Sequence, residues 1–160
     1  MTLLSSQQQE IYLKPGELVI AEVPVEVSTV LGSCVSVTLF IPQLKIGAIC
    51  HAVLPRGDSD EPAKYVDQSV HYMLNHLKRF NVRPAEIVAK LFGGANMFSQ
   101  NCSDGSDCTV GAKNIREATQ CLRHAGLGLA ASDTGGEQGR KLIFYTHTGE
   151  VMLKRVRNGR

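Results

Sequence analysis

The residues with the clearest chemical potential in this sequence are one cysteine and one histidine. Cys34 lies in the segment Leu31-Gly32-Ser33-Cys34-Val35, and His51 follows after the next turn of the chain. A thiol is nucleophilic mainly as its thiolate, and a neighbouring imidazole can take the thiol proton and later protonate a leaving amine. Backbone amides at Gly32 and Ser33 could stabilise the oxyanion of a tetrahedral intermediate. The pattern therefore predicts a thiol-dependent hydrolase that acts on amides.

Cys34 and His51 can meet if two predicted strands, 30–40 and 45–54, pair as a hairpin. Pro42 marks the turn, because proline cannot lie inside a central strand. A turn centred just after Pro42 puts Cys34 directly opposite His51, with Cβ atoms about 4.5–5.5 Å apart. The hairpin thus predicts direct contact between the thiol and the imidazole.

The alternation of side chains along the two strands supports this register. One face carries Ser36, Thr38 and Gly47 beside Cys34, and we expect it to be polar and open. The other face is uniformly apolar and is expected to join the core; it consists of Val35, Val37, Leu39, Ile41, Leu44, Ile46, Ala48 and Cys50.

The remaining pattern predicts one α+β domain over residues 11–160, after a flexible lead-in at 1–10. Strands outnumber helices and precede them in pairs, which favours mostly antiparallel pairing over a doubly wound fold. Helices are predicted at 62–80 and 111–124. Further strands are predicted at 17–27, 86–92 and 127–132, and as a final hairpin of 141–146 and 150–156.

The composition and net charge limit the classes of protein to which this chain can belong. Hydrophobic residues make up 43% and charged residues 20% of the 160 residues, as in an ordinary soluble domain. The net charge of +2 does not imply a nucleic-acid partner. No apolar run is long enough to span a membrane and the N-terminus lacks an export pattern, so a cytoplasmic location is expected. The five cysteines are accordingly expected to be reduced thiols.

Three other motifs have weaker chemical implications. Asp133-Thr134-Gly135-Gly136 contains half of an aspartic-protease signature, but we interpret it as a tight turn. Gly93 and Gly94 follow a buried strand, where they could either approach a ligand closely or form a sharp turn. The spacing of Cys102 and Cys108 is unusual for zinc, so neither a metal nor any other cofactor is expected.

Several of these segments, taken in order, resemble the CheD family of chemoreceptor glutamine deamidases from bacterial and archaeal chemotaxis. The resemblance covers roughly residues 11 to 156, and it is the order of motifs that makes it specific. The matching segments are residues 12–17, 31–37, 47–55, 90–98, 114–115, 133–136 and 139–141.

The resemblance implies a layered α+β fold with a β-sandwich-like core and two main flanking helices, similar to the catalytic domains of deamidating toxins. It implies hydrolysis of receptor glutamine side chains to glutamate and ammonia through a thioester on Cys34, with His51 as the base. The family's third site residue is a threonine, and its position here is open between Ser28 and Thr29. Gly93 and Gly94 would line the substrate cleft.

Two functions of different class follow. The first is a protein-glutamine deamidase whose partner is the cytoplasmic helices of a chemoreceptor. The second is a regulatory module that binds and stimulates a CheC-type phosphatase without needing catalysis, as many members of the family do. An intact pair of Cys34 and His51 favours the first.

Overall fold

The computed structural model describes residues 9–98 and 108–157 as two β-sheets and two α-helices. The helices are α1 (Val66–Leu77) and α2 (Val110–His124). Short 3-10 turns lie at Pro62–Lys64, Lys78–Phe80 and Pro84–Glu86. The nine strands are β1 (Gln9–Tyr12), β2 (Leu18–Ala21), β3 (Val25–Leu31), β4 (Val35–Ile41), β5 (Ile46–Cys50), β6 (Val88–Gly93), β7 (Leu129–Thr134), β8 (Gly139–Tyr145) and β9 (Val151–Val156).

The strands form a four-stranded sheet in the order β1-β3-β8-β9 and a five-stranded sheet in the order β2-β5-β4-β6-β7. Pairing is antiparallel except between β1 and β3 and between β6 and β7. Both helices pack on one face of the five-stranded sheet, against β4, β5 and β6. The prediction of an α+β, mostly antiparallel sandwich with two flanking helices is confirmed.

The core has two layers because the five-stranded sheet is covered on both faces. Between this sheet and the helices lie the apolar side chains of β4 and β5 together with Val66, Val70, Met73 and Leu122. Between the two sheets lie smaller clusters built around Phe144 and Leu142. Because both faces of this sheet are covered, β4 and β5 contain no charged residue, even though Ser36, Thr38 and Gly47 alternate with their apolar side chains.

The predicted strand at 30–40 is in fact two strands that belong to different sheets. β3 ends at Leu31 in the four-stranded sheet, and β4 begins at Val35 in the five-stranded sheet. The chain crosses between the sheets at residues 32–34, so Cys34 lies in the crossing and not on a strand. Hydropathy does not reveal the break, because the residues on either side of it are buried.

The β4–β5 hairpin has a different register from the predicted one. Ile41 pairs with Ile46, so the loop contains four residues and Lys45 adopts a left-handed conformation with φ of 55°. The pairing is therefore displaced by two residues along one strand. A shift of two preserves which face each side chain occupies, because side chains alternate with period two. The apolar face is thus as predicted except at Leu44, which lies in the loop and is 44% exposed, and the opposed residues differ.

The second face of this hairpin is not open, contrary to the sequence-based expectation. Ser36 and Thr38 are 0% and 1% exposed, and Gly47 is also buried. The four-stranded sheet covers them. Small and weakly polar side chains on this face permit close packing of the two sheets.

Two further expectations are corrected. Gln9 and Glu10 belong to β1, so the predicted lead-in at 1–10 is wrong at its end, while residues 1–8 lie outside the described part. Cys34, Cys50 and Cys121 carry free thiols, whereas Cys108 is disulfide-bonded. The expectation of reduced thiols therefore fails at Cys108. Cys102 lies outside the described residues. No helix within residues 9–98 and 108–157 has the length and apolar character needed to cross a bilayer.

Candidate active site

Cys34 is held by backbone contacts on both sides of the crossing between the sheets. Its carbonyl oxygen accepts a hydrogen bond from the Gly94 amide at 2.9 Å, and the Gly32 carbonyl accepts one from the Ala95 amide at 2.9 Å. The Cys34 side chain is partly exposed and packs against the cluster of Leu31, Phe92 and Leu142 between the sheets. The thiol therefore lies at one end of the interface between the two sheets, where solvent can reach it.

Gly93 makes this close approach possible. Its φ is +105°, and a Cβ at this position would overlap the carbonyl oxygen of Cys34. The two glycines therefore let the end of β6 and the residue after it pack directly on the Cys34 backbone. The Gly94 amide is engaged with Cys34 and cannot also bind a developing oxyanion.

His51 is 2% exposed and follows directly after β5. Its backbone is held by the segment before β2: the His51 amide donates to the Glu17 carbonyl at 2.9 Å, and its carbonyl accepts from the Gly16 amide at 2.8 Å. The ring Nδ1 lies 2.7 Å from the Thr29 hydroxyl oxygen. The histidine is therefore constrained at both its backbone and its ring.

Thr29, and not Ser28, is the hydroxyl residue that meets the histidine. Val25, Val27, Thr29 and Leu31 of β3 face the interface between the sheets, and Thr29 is fully buried there. Ser28 is the adjacent residue on β3, so its side chain points in the opposite direction, to the outer face of the sheet. The alternation Val25-x-Val27-x-Thr29 in the sequence already contained this information.

The Thr29 contacts determine the tautomer of His51. The Thr29 hydroxyl donates its only proton to the Leu13 carbonyl at 2.7 Å. The short contact between Thr29 Oγ1 and His51 Nδ1 then requires that Nδ1 carries the proton and donates it. Nε2 is left as the unprotonated nitrogen, which is the one available as a base.

Cys34 and His51 are diagonal neighbours and not directly opposed. Val35 and Ala52 are paired by two hydrogen bonds, of 3.0 and 2.9 Å. Cys34 directly precedes Val35 and His51 directly precedes Ala52, so their side chains lie on the opposite face from this pair, at diagonal positions. Diagonal neighbours in an antiparallel pair are roughly 7–8 Å apart. The Val35–Ala52 pairing shows that the predicted direct opposition is wrong, and within the described residues no hydrogen bond joins the thiol to the imidazole.

Both groups are shifted toward their neutral forms. Burial raises the pKa of the Cys34 thiol, and the residue's own amide offsets part of this effect. Burial lowers the pKa of His51, with partial compensation from the Leu13 carbonyl and the Glu17 carboxylate. A neutral thiol beside a neutral imidazole, and not an ion pair, is therefore the resting state that the structure favours.

Three amides, at Cys34 and at the two residues before it, are available as donors. In the described part of the chain, the N–H groups of Ser33 and Cys34 donate to no other backbone group, and neither does that of Gly32. The carbonyls of the same loop, by contrast, are all engaged. A carbonyl oxygen that becomes negatively charged near Cys34 could accept hydrogen bonds from these amides.

The Asp133-Thr134-Gly135-Gly136 segment buttresses this site and does not form a protease carboxylate. Asp133 bonds Arg140 at 2.6 Å and Arg155 at 2.8 Å. Partial burial opposes ionisation of Asp133, but the two arginines outweigh it and hold the pKa of the carboxyl below its usual range. The Gly135 amide donates to the Gly93 carbonyl at 3.0 Å, which links the ion-paired turn to the segment behind Cys34.

Comparisons with known proteins agree with this architecture. A family model described as CheD chemotactic sensory transduction matches residues 53–155. A relative from Geobacter sulfurreducens, named probable chemoreceptor glutamine deamidase CheD 2, is 47% identical over 98% of this chain and 96% of its own length. A relative from Thermococcus kodakarensis, named probable chemoreceptor glutamine deamidase CheD, is 35% identical over 94% of this chain and 96% of its own.

The chain belongs to the CheD family. The resemblance inferred from the motifs is thereby confirmed. The CheD family model begins after Cys34 and His51, but the Geobacter sulfurreducens relative aligns over nearly the whole chain and so spans both residues.

One solved structure shares the fold. The crystal structure of the Bacillus licheniformis hypothetical protein YfiH superposes with a TM-score of 0.51 at 14% identity, over 75% of this chain. This chain spans about half of that protein, 51% of its length. The likeness concerns the layered fold alone.

Two residues of this CheD chain have site contacts that sequence reasoning did not assign. Leu13 accepts the Thr29 hydroxyl proton, and Asn114 of α2 binds carbonyls on either side of the site. Both lie in segments that carry the CheD resemblance, 12–17 and 114–115. Nothing in their residue types reveals these roles, because each contact joins parts of the chain that are far apart in sequence. Among the described residues, no cluster of three side chains could hold a metal ion.

Proposed function

We propose that this protein is a protein-glutamine deamidase that hydrolyses specific glutamine side chains of chemoreceptors to glutamate and ammonia. The observation that carries the proposal is His51, which Thr29 holds with Nε2 free at the end of the sheet interface where Cys34 is accessible. The names of the curated relatives supply the substrate. The cytoplasmic helices of a receptor require that the protein acts in the cytoplasm.

The proposed reaction begins when Cys34 Sγ attacks the carboxamide carbon and His51 Nε2 accepts the thiol proton. The diagonal placement of the two residues means that a modest side-chain movement must accompany substrate binding. Amides of Ser33 and Cys34 bind the oxyanion. The imidazolium then gives its proton to the nitrogen as the carbon–nitrogen bond breaks and ammonia leaves.

The second half of the reaction releases glutamate. His51 Nε2 takes a proton from water, the hydroxide attacks the thioester carbon, and the carbon–sulfur bond breaks to restore the thiol. The overall change is replacement of the amide NH2 by OH with consumption of one water. Each modified receptor position gains a carboxylate.

The test is incubation with a chemoreceptor cytoplasmic domain, with ammonia and the mass of modified peptides as readouts. We expect Cys34→Ala to reduce ammonia release to background, because it removes the nucleophile. Cys121→Ala is the matched control, since Cys121 is also a free, partly exposed thiol. Burial and Glu117 raise its pKa to about 12, so it should contribute nothing. Full activity in Cys34→Ala would refute the proposal.

Binding and stimulation of a CheC-type phosphatase stays a second proposal that rests on the family resemblance. The Cys34→Ala variant separates the two roles. It should lose deamidation but retain stimulation of a phosphatase if binding does not need the thiol.

A further inference from the structure

Asn114 is a fully buried polar residue that connects the two halves of the site. Its Nδ2 group donates to the Ser33 carbonyl at 3.0 Å and to the Val53 carbonyl at 3.0 Å. Ser33 precedes the nucleophile, and Val53 lies two residues after His51. One side chain thus joins the Cys34 crossing to the segment that carries the base.

The side-chain oxygen of Asn114, Oδ1, indicates that this residue has a role beyond packing. Its Oδ1 is buried and has no hydrogen-bond partner within the described part of the chain. Reversing the amide would put this oxygen against two carbonyl oxygens, so the observed orientation is the favoured one. A buried acceptor without a partner is unfavourable, and such groups call for an explanation.

Peptide geometry links Asn114 to the amides beside the sulfur. In a trans peptide the C=O and N–H groups point in opposite directions. Because Asn114 binds the Ser33 carbonyl, the Cys34 N–H of that same peptide is directed away from α2. The Gly32 carbonyl is held by Ala95 in the same manner, which directs the Ser33 N–H away from the turn behind it.

The fold places Asn114 accurately because α2 packs directly on the turn behind Cys34. Thr109 caps the helix by accepting a hydrogen bond from the Ala112 amide at 3.1 Å. Gly111 allows the first turn to contact the backbone, since a Cβ there would overlap the carbonyl oxygens of Gly94 and Ala95. Asn114 is one turn further along.

We propose that Asn114 is a positioning residue for the oxyanion site: it orients the Ser33–Cys34 peptide so that the Cys34 amide faces the carbonyl oxygen under attack. This role rests on the proposed cysteine-dependent hydrolysis. Asn114 does not touch the substrate, because it is fully buried.

Two reactions at the Cys34 sulfur distinguish orientation of the oxyanion site from general support of the thiol or of the fold. With p-nitrophenyl acetate, a carbon–sulfur bond forms, the bond to p-nitrophenolate breaks, and the thiol proton passes to His51 and then to solvent. That reaction develops an oxyanion. With iodoacetamide, the sulfur displaces iodide from a saturated carbon and no oxyanion develops. Peptide mapping by mass spectrometry assigns both modifications to Cys34.

The variants are Asn114→Leu, which keeps the branching at Cγ and removes the donor, and Asn114→Ser, which is smaller and keeps one donor; neither introduces a charge near the thiol. We expect acylation and the kcat of deamidation to fall about tenfold to a hundredfold with KM unchanged, as for a weakened oxyanion donor. Alkylation should fall by a smaller factor than acylation, because no oxyanion develops in that reaction and the Cys34 amide then affects only the stability of the thiolate. Thr146→Val is the matched control, because Thr146 is also buried and bonds two backbone groups, but far from Cys34.

Unchanged acylation in both variants would overturn the proposal. Equal losses of acylation and alkylation would also overturn it, because Asn114 would then support the thiol or the fold in general. So would an equal loss of acylation in Thr146→Val. A wild-type protein that is acylated by the ester but does not deamidate a receptor would refute the proposed function while the effect of Asn114 remained measurable. Absence of acylation in the wild type would overturn the oxyanion role itself.

Discussion

Replacement of Thr29 by valine tests how the base is held. The substitution keeps the shape of the side chain and removes a hydroxyl that makes two contacts of 2.7 Å, one with the Leu13 carbonyl and one with His51 Nδ1. Both contacts are buried, so water cannot readily replace the hydroxyl. The change therefore acts on stability and on the orientation of the imidazole at the same time.

The expected magnitudes follow from these contacts. A buried polar group left without a partner costs about 1–3 kcal/mol, so the free energy of unfolding should fall by that amount. The imidazole keeps the Leu13 carbonyl as an alternative partner, which limits the loss of orientation. We expect kcat to fall about tenfold to a hundredfold, or roughly 1.4–2.8 kcal/mol in the activation free energy. This is less than the effect of an orienting carboxylate in serine proteases, about 10⁴-fold.

Ser28→Ala is the matched control for Thr29→Val. Ser28 is the neighbouring hydroxyl, but it lies on the opposite face of β3, so its removal should leave kcat within about twofold. Ammonia release from a receptor domain and urea unfolding are the two measurements. An unchanged kcat in Thr29→Val, or an equal loss in Ser28→Ala, would refute the assignment of Thr29 as the residue that orients His51.

Two further predictions concern ionisable groups. Burial lowers the pKa of His51 below its usual 6.5, so the unfolded state binds a proton more readily than the folded state. The free energy of unfolding should therefore fall as the pH is lowered through 6.5 toward the folded pKa. Urea unfolding between about pH 8 and about pH 5 measures this, and His51→Gln should flatten the slope; an equal slope in the variant would contradict it. Asp133→Ala leaves Arg140, which is 2% exposed, without its carboxylate, and should destabilise the protein by about 3 kcal/mol. Arg155→Ala removes a half-exposed partner and should cost at most about 1 kcal/mol in the same assay, so equal losses would argue against a buried ion pair.

The elements were largely predictable because their patterns are local. The apolar periodicity of 62–80 and 111–124 indicated α1 and α2 to within a few residues. The final hairpin around Thr148-Gly149 was also located correctly. In β4 and β5 the alternation identified the core face, because a two-residue error in register leaves every side chain on its own face.

The sequence by itself therefore determined the class of fold, the faces of its strands and the family. It also identified a thiol and an imidazole near each other, and the alternation of side chains along β3 distinguishes Thr29 from Ser28. These are properties of neighbouring residues, and they follow from side-chain periodicity and residue type.

Only the tertiary structure decided how the site is assembled. The break between β3 and β4 depends on the turn at Gly93, whose backbone the crossing contacts. The tautomer of His51 depends on the Leu13 carbonyl, and the direction of the Cys34 amide depends on Asn114. Each of these contacts joins segments that are distant in the chain and meet only when two sheets and a helix pack together. Local patterns carry no information about such contacts, because the packing of whole elements sets their geometry.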